Sequence, residues 1–209
     1  MRKNEITEKI SVTVVLIVCN VLLFLLTEMT GGSEDTQVLI RWGGAYTVLL
    51  KEGQYWRLLT AMFLHSGMRH LTNNMLLLGV IGTPLERQTG KLRFLLIYFG
   101  GGIFGGLMQY RMQLAESRNA VSIGASGAVC AAAGAMVWVV IAHRGRVEQI
   151  SLQKMLVMIA FMIYFGFTTE HVANAAHIGG LISGFLICMV FYRSGKSRRR
   201  REWERQIRA

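Results

Sequence analysis

Charged residues and proline are scarce in this chain. Only 17% of its 209 residues are Asp, Glu, Lys or Arg, and proline occurs once. Hydrophobic residues make up 52%, the mean hydropathy is +0.38, and several apolar runs reach roughly 18 to 20 residues. Helices of a water-soluble domain carry a polar face, whereas these runs are apolar nearly all round. The composition excludes an ordinary soluble domain and predicts an all-α bundle of membrane-spanning helices.

Cysteine is also rare, which removes two classes of site. Cys19, Cys130 and Cys188 each lie inside a hydrophobic run, where a free thiol behaves as a small apolar side chain. None of them belongs to a C-x-x-C pair, so the sequence predicts neither a metal site nor a redox site. No motif requires a cofactor, and none is expected.

Six membrane spans are predicted. The first follows Arg2, Lys3 and Lys9, as a secretion signal would, but it is long for a signal and no small-residue cleavage site follows it. We therefore expect a retained span. The predicted spans cover residues 10–27, 70–84, 92–110, 126–142, 154–167 and 175–192. They form one membrane domain over residues 10–192, with a tail at residues 1–9 and a basic tail at residues 193–209.

The net charge of +11 arises from 23 Lys and Arg residues against 12 acidic residues. With six spans both termini lie on one side, and 17 of the 23 basic residues fall in the tails and loops of that side. Because basic residues accumulate on the cytoplasmic side, both termini are expected in the cytoplasm. The four arginines at 198–201 resemble a nucleic-acid patch, but this bias explains them. We expect the tail to rest on anionic lipid and predict no nucleic-acid partner.

The longest connection, residues 28–69, is expected on the outer side and is not a polar linker. Trp42, Tyr46, Tyr55 and Trp56 punctuate it. Amphipathic aromatic side chains favour the membrane interface, so this loop is expected to lie partly in the bilayer.

Small residues are concentrated in spans three, four and six. Gly180 and Gly184 form the small-x-x-x-small pattern that lets membrane helices approach closely. The pattern predicts that spans four and six are neighbours at the centre of the bundle.

Polar residues open three of the predicted spans, where each is a candidate site because polar groups in membranes are costly. Spans two, four and six all enter from the outer side, so His70, Ser126 and His177 lie within about the first turn of their helices at similar depth. Asn74 lies four residues after His70 on the same helix face, and Asn174 precedes His177. The sequence thus places a hydroxyl, two imidazoles and a carboxamide together.

Acyl transfer is the chemistry that such a set supports. A serine hydroxyl is a weak nucleophile until a base within hydrogen-bond reach takes its proton. The N-terminus of a helix offers free N–H groups and a positive dipole end, which suit a developing oxyanion.

Several motifs in the same order as these residues resemble the signature of the rhomboid family of intramembrane serine proteases. The matching motifs run from span one to span six: Asn20-Val21, Trp56-Arg57, His70-x-x-x-Asn74, Leu85-Glu86-Arg87, Gly124-Ala125-Ser126-Gly127, and Ala176-His177-Ile178-Gly179-Gly180 with Gly184.

The resemblance implies a fold and a set of roles. Ser126 would be the nucleophile and His177 its general base, forming a dyad without an acidic third member. Gly124 would shape the loop behind the oxyanion hole, and His70 and Asn74 would be oxyanion donors. The expected activity is hydrolysis of peptide bonds in or near transmembrane segments of other proteins, which would be the partners together with the lipid bilayer.

The resemblance also implies a location and a route for substrate. We expect a multi-pass protein of a bacterial plasma membrane, with its active site open to the extracytoplasmic side. Substrate would enter beside span five, and small residues would be preferred at the cut. One position departs from the family pattern, because Cys130 stands where many members carry an aromatic side chain that stacks on the base.

Several of these residues also allow other interpretations. Ser126 alone could be a helix N-cap, and His65, His143 and His171 are interpreted as solvated. Asn73 is expected to point away from the site. An α/β-hydrolase elbow is excluded because residue 128 is alanine, and a zinc protease because H-E-x-x-H is absent. A rhomboid-like protein that binds clients without cutting them and a small-solute transporter remain as alternatives.

Overall fold

The computed structural model describes residues 11–168 and 173–192. The predicted tails at residues 1–9 and 193–209, like His171, lie outside the described residues. Six long helices carry the architecture, as the sequence predicts, and the all-α bundle is confirmed. They are α1 (Val12–Met29), α5 (Gly67–Thr89), α6 (Lys91–Ala115), α7 (Ser126–Ala142), α8 (Leu152–Thr168) and α9 (Asn174–Phe191).

Short elements fill the connections between these helices. Between α1 and α5 come α2 (Thr36–Arg41), β1 (Ala45–Tyr46), α3 (Thr47–Lys51), α4 (Arg57–Thr60) and a 3₁₀ turn (Ala61–Phe63). The remaining strands are β2 (Val121–Ser122), β3 (Arg146–Val147) and β4 (Ile150–Ser151). Strand β1 pairs antiparallel with β2, and β3 pairs antiparallel with β4.

Three of the long helices are long and apolar enough to cross a membrane by length and composition, namely α1, α6 and α9. Helices α7 and α8 are apolar but have 17 residues each, or about 25 Å at 1.5 Å per residue. A shorter helix is tolerated when neighbouring helices enclose it, as they do α7, whereas Met155 and Gly166 are the buried residues of α8. The chain is therefore a multi-pass membrane protein.

The predicted boundaries of α5 are too narrow. The helix starts at Gly67, before His70, and continues five residues past Pro84. Proline removes one helical hydrogen bond, but membrane helices tolerate that loss when their surroundings compensate for it. The helix ends at Gly90, whose φ of 84° suits a residue without a side chain. Gly90 is also the N-cap of α6, so the next helix follows directly.

The loop between α1 and α5 is folded, not extended. Arg57, which is 7% exposed, donates from its guanidinium to the carbonyls of Ile40 and Gly44 at 2.7 and 3.1 Å. Its Nε also donates to the Gln54 side chain at 2.8 Å. One buried cation therefore ties three parts of the loop together. Tyr55 and Trp56 remain more than half exposed at its surface.

Glu86 links α5 to the start of α1. Its carboxylate accepts hydrogen bonds from the Ser11 hydroxyl, the Val12 and Thr13 backbone N–H groups and the Thr13 hydroxyl, at 2.7 to 2.9 Å. Free N–H groups at a helix N-terminus favour an anion. Glu86 therefore caps another helix.

Helix α7 is the centre of the bundle, with 12 of its 17 residues buried. Its backbone lies directly against α9 where glycines meet. A Cβ at Gly180 would overlap the Gly127 carbonyl, one at Gly184 would overlap the Ala131 carbonyl, and one at Gly134 would overlap the Leu181 carbonyl. The predicted contact between spans four and six is confirmed.

Helix α6 closes the third side of this core with its own glycines. A Cβ at Gly105 would lie 2.6 Å from the Ala176 carbonyl of α9, and one at Gly101 would overlap the Ala131 side chain of α7. Three helices thus meet at van der Waals distance, and their spacing leaves no room for larger residues.

We predict that Gly184→Ala destabilises the bundle by about 1–3 kcal/mol, because its methyl group would lie 2.5 Å from the Ala131 Cα, on backbone that cannot rotate away. The control is Gly79→Ala, since a Cβ there meets only Ile17 at 3.9 Å. Thermal unfolding in detergent should show a clear drop in Tm for the first variant and none for the second. Equal Tm values would contradict the packing described above.

Candidate active site

The segment before Ser126 is held in place from two sides. Strand β2 pairs with β1, and the Gln113 side chain on α6 bonds to the Thr47 and Ser122 hydroxyls at 2.9 Å each. The Gly124 N–H then donates to the Ala61 carbonyl at 2.9 Å. The loop that delivers Ser126 is therefore fixed by α6 and by the long outer loop.

Gly124 occupies a position that needs glycine for two independent reasons. Its φ of +111° lies in the region that side chains rarely adopt. A Cβ there would also lie 2.7 Å from His70 Nε2, and the Ser126 Oγ lies 3.8 Å from the same point. The structure therefore brings His70 and Ser126 together around Gly124, as the sequence predicts.

The His70 ring directs a hydrogen-bond donor toward Gly124 and Ser126. The Ser66 backbone N–H donates to His70 Nδ1 at 3.3 Å, so in the neutral ring the proton resides on Nε2. That nitrogen is the one facing Gly124 and Ser126. An N–H group is thus directed to the space beside the hydroxyl, where an oxyanion could accept from it.

Asn74 is buried one turn below His70, with 5% of its surface exposed. One of its two amide hydrogens is used within the helix, because Nδ2 donates to the His70 carbonyl at 2.9 Å. The second hydrogen of that nitrogen is available to another acceptor. The adjacent Asn73 is exposed, in agreement with the expectation that it points away from the site.

Ser126 is the first residue of α7 and is half-buried, and the N-cap position belongs to Ala125. The capping interpretation of Ser126 therefore does not fit its place. The first N–H groups of α7 have no helical partner. Its hydroxyl makes no hydrogen bond to any residue within 11–168 or 173–192, so it is free to react.

His177 lies on the first turn of α9, next to Ala176, which contacts the start of α7. A Cβ on Gly127, next to Ser126, would contact the Ala176 carbonyl and Cβ at 3.6 and 3.8 Å. Ser126 is followed by Gly127 and His177 is preceded by Ala176, and because these two neighbours are in contact, Ser126 and His177 lie near each other. His70 is near enough that a charge on its ring would act on His177. A hydrogen bond between Ser126 and His177 is not formed in this structure, and such bonds often tighten only when substrate binds.

A small cavity of about 40 Å³ opens beside Ser126. Its walls combine apolar and small residues with few polar groups, and they include Leu58, Met62, Gly102, Gln109 and Ala176. Cys130, one turn below Ser126 in α7, is 1% exposed. Among residues 11–168 and 173–192 no cluster of three potential metal ligands occurs.

His65 contradicts its interpretation as a solvated loop residue. It is fully buried, and its Nε2 accepts a hydrogen bond from the Ala125 N–H at 3.4 Å. Its ring meets the His70 ring edge-on, with centroids 5.0 Å apart. His65 therefore supports both the loop before Ser126 and the His70 donor. No local pattern in the sequence signals this burial, because it depends on contacts with residues distant along the chain.

Burial keeps His65 neutral. Desolvation lowers its pKa to about 3, the His70 ring lowers it further, and the Phe63 carbonyl raises it slightly. Its pKa in the unfolded chain is about 6.5. Since the folded pKa lies below the unfolded pKa, the unfolded chain binds the proton first as pH falls. Stability from this group is complete above about pH 6.5 and is lost between there and pH 3.

We predict that His65→Gln, which retains a side-chain acceptor for the Ala125 N–H, loses less stability than the unmodified chain between pH 7 and pH 5. Protonation of His65 in the unfolded chain lowers the free energy of unfolding by about 2 kcal/mol at pH 5. Tm values in detergent at the two pH values provide the measurement, with His143→Gln as a control at the other end of α7. Parallel Tm changes in all three proteins would contradict a buried neutral His65.

Comparison with known proteins gives a consistent result. Residues 52–194 match the family described as Rhomboid domain. The chain is 38% identical over 173 residues to "Rhomboid protease GluP" of Bacillus subtilis, a match that covers 83% of this chain and 33% of that protein. It is 32% identical over 205 residues to "Rhomboid protease AarA" of Providencia stuartii, covering 87% of this chain and 73% of that protein.

A relative from Toxoplasma gondii has a similar sequence identity. The chain is 32% identical over 162 residues to "Rhomboid-like protease 1" of Toxoplasma gondii, covering 74% of this chain and 53% of that protein. The chain thus spans about a third of the length of the Bacillus relative and about half of the Toxoplasma relative. Since the family match covers more than half of the chain and the Providencia match most of both proteins, the chain belongs to the rhomboid family.

Proposed function

We propose that this chain is an intramembrane serine endopeptidase that hydrolyses peptide bonds in or near transmembrane segments of other membrane proteins. The observation that supports this most strongly is the juxtaposition at Gly124, where the Ser126 hydroxyl and the His70 Nε2–H face one point. A nucleophile and an electrophilic donor are the two groups that acyl transfer requires side by side. The relatives from Bacillus subtilis and Providencia stuartii, which are named rhomboid proteases, support the same activity.

The proposed reaction begins with Ser126 Oγ. It attacks the carbonyl carbon of the scissile bond while His177 Nε2 takes the hydroxyl proton. The carbonyl oxygen becomes an oxyanion, for which the His70 Nε2–H, the free Asn74 amide hydrogen and the N–H groups at the start of α7 are the donors. His177 then gives its proton to the leaving amine, and an acyl-enzyme remains.

Water completes the cycle by the same route. His177 takes a proton from the water as it attacks the ester carbonyl, and returns that proton to Ser126 Oγ as the acid product leaves. The acyl-enzyme thus splits one difficult hydrolysis into two steps that use the same oxyanion donors. Gly124 contributes its conformation, because a larger residue would displace His70 from the site.

The substrate class follows from the environment of the site. The cavity beside Ser126 is small and its walls are mainly small and apolar residues, so small residues are expected at the cut. The substrate must be extended to reach Ser126, which favours segments that form weak helices. Ser126 and His177 lie at the N-terminal ends of α7 and α9, and His70 near that of α5. In the proposed topology these ends are on the outer side of a bacterial plasma membrane and both basic termini are in the cytoplasm.

The first test is covalent labelling and cleavage. A fluorophosphonate probe should label the purified protein at Ser126, and Ser126→Ala should abolish labelling. Cleavage of a model transmembrane substrate should be lost in Ser126→Ala and in His177→Ala, whereas the matched control His143→Ala retains it. Cleavage that survives both active-site substitutions would overturn the protease assignment and favour a client-binding protein.

The second test separates the two adjacent asparagines of α5. Because Asn74 is buried beside His70 and Asn73 is exposed, Asn74→Ala should lower kcat while Asn73→Ala should not. Removing one oxyanion donor costs about 10²–10³-fold in kcat in serine proteases. Steady-state cleavage kinetics measure both values. A loss of kcat in Asn73→Ala equal to that in Asn74→Ala would exclude the proposed donor role.

A further inference from the structure

His177 has one ring nitrogen that the proposed dyad leaves unexplained. Its Nδ1 is buried and has no hydrogen-bond partner among residues 11–168 and 173–192. For Nε2 to accept the Ser126 proton, the neutral ring must carry its own proton on Nδ1. A buried N–H without an acceptor is costly, and that cost rises when the ring becomes positively charged.

His177 Nδ1 points toward α8. A Cβ on Gly166 would lie 3.4 Å from His177 Nδ1, so this nitrogen faces the gap left by that glycine. Gly166 and Met155 are the buried residues of α8. Since Nδ1 faces α8, Nε2 is the nitrogen available to Ser126.

A carboxamide oxygen faces the same gap. The Asn174 Oδ1 lies 2.5 Å from the point that a Gly166 Cβ would occupy. Asn174 is the first residue of α9, three residues before His177, so both side chains lie on one face of the helix. Within the described part of the chain its carboxamide forms no hydrogen bond, and it is not the N-cap, which is Ala173. Helix capping therefore does not account for an asparagine at this position.

Gly105 of α6 and Gly127 of α7, which contact Ala176 at the start of α9, have no side chains. Within the described residues Gln109 of α6 also carries a buried, unpartnered carboxamide oxygen, but it lines the cavity beside Ser126, which no residue of α8 lines. Among the described residues His70 on α5 is the titratable side chain whose charge acts on His177, and it faces Gly124 from the Ser126 side.

We propose that Asn174 is a positioning residue for the base, which assists the Ser126–His177 dyad by accepting a hydrogen bond from His177 Nδ1–H. When the Ser126 proton moves to Nε2, the ring carries two protons and one positive charge, and its Nδ1–H donates to Asn174 Oδ1. No proton passes to Asn174. Gly166 is required because its missing side chain leaves room for both atoms to meet against α8.

This inference rests on the proposed protease function, and three variants test it. Asn174→Leu removes the acceptor at similar size and should lower kcat about 10- to 100-fold with little change in KM. Asn174→Asp is isosteric and places a carboxylate beside the ring. Because a carboxylate stabilises the protonated ring, the acidic limb of its kcat/KM profile should move to higher pH by about one unit or more. Loss of the acceptor in Asn174→Leu should move that limb to lower pH.

The third variant, Gly166→Ala, places a methyl group between the two atoms and should lower kcat without replacing either of them. Gly79→Ala serves as the glycine control, and Asn73→Leu as the asparagine control. Tm values in detergent show whether each variant is folded, and Asn174→Asp keeps the test valid if Asn174→Leu does not fold.

The outcomes separate the two proposals. Labelling of Ser126 and cleavage by the unmodified protein, with the opposite pH shifts in the two Asn174 variants, support the positioning role of Asn174. The same labelling and cleavage with an unchanged pH limb and kcat within threefold in both Asn174 variants overturn that role and leave a dyad without it. Absence of labelling and cleavage in the folded, unmodified protein overturns the protease function itself, and the role of Asn174 with it.

Discussion

Helices α7 and α9 touch backbone to backbone because Gly127, Gly180 and Gly184 leave no side chain between them. In lipid there is no hydrophobic force to drive two helices together, so close van der Waals packing must supply the association. Packing of this kind sets the distance between the helices within a few tenths of an ångström. Ser126 and His177 lie at the ends of these two helices, and their separation therefore depends on glycines farther down the bundle.

Hydrogen bonds in the loops fix the position of the segment before Ser126 and of His70. Gly124 bonds to Ala61, Ala125 bonds to His65, and Gln113 joins the outer loop to β2. These bonds lie where water is scarce, and unpaired polar groups would be costly there. The same network that satisfies the loop backbone thus places the His70 N–H beside the Ser126 hydroxyl. Stability and geometry of the site have one physical origin.

Sequence reasoning recovered the long helices because apolar runs and charge distribution report directly on the membrane. It also grouped His70, Asn74, Ser126 and His177 by topology, and the juxtaposition of His70 with Ser126 agrees with that grouping. It ended α5 at Pro84, since the local rule against proline takes no account of surrounding helices. It missed His65 because burial of a loop depends on contacts distant in sequence.

The central claim is that Ser126 and His70 share one oxyanion site. An experimental structure of the protein after reaction with a fluorophosphonate tests it most directly, because the phosphonyl oxygen occupies the place of the oxyanion. The account predicts phosphorus bonded to Ser126 Oγ, with that oxygen about 3 Å from His70 Nε2. A phosphonyl group on another residue, or an oxygen directed away from His70, would contradict it.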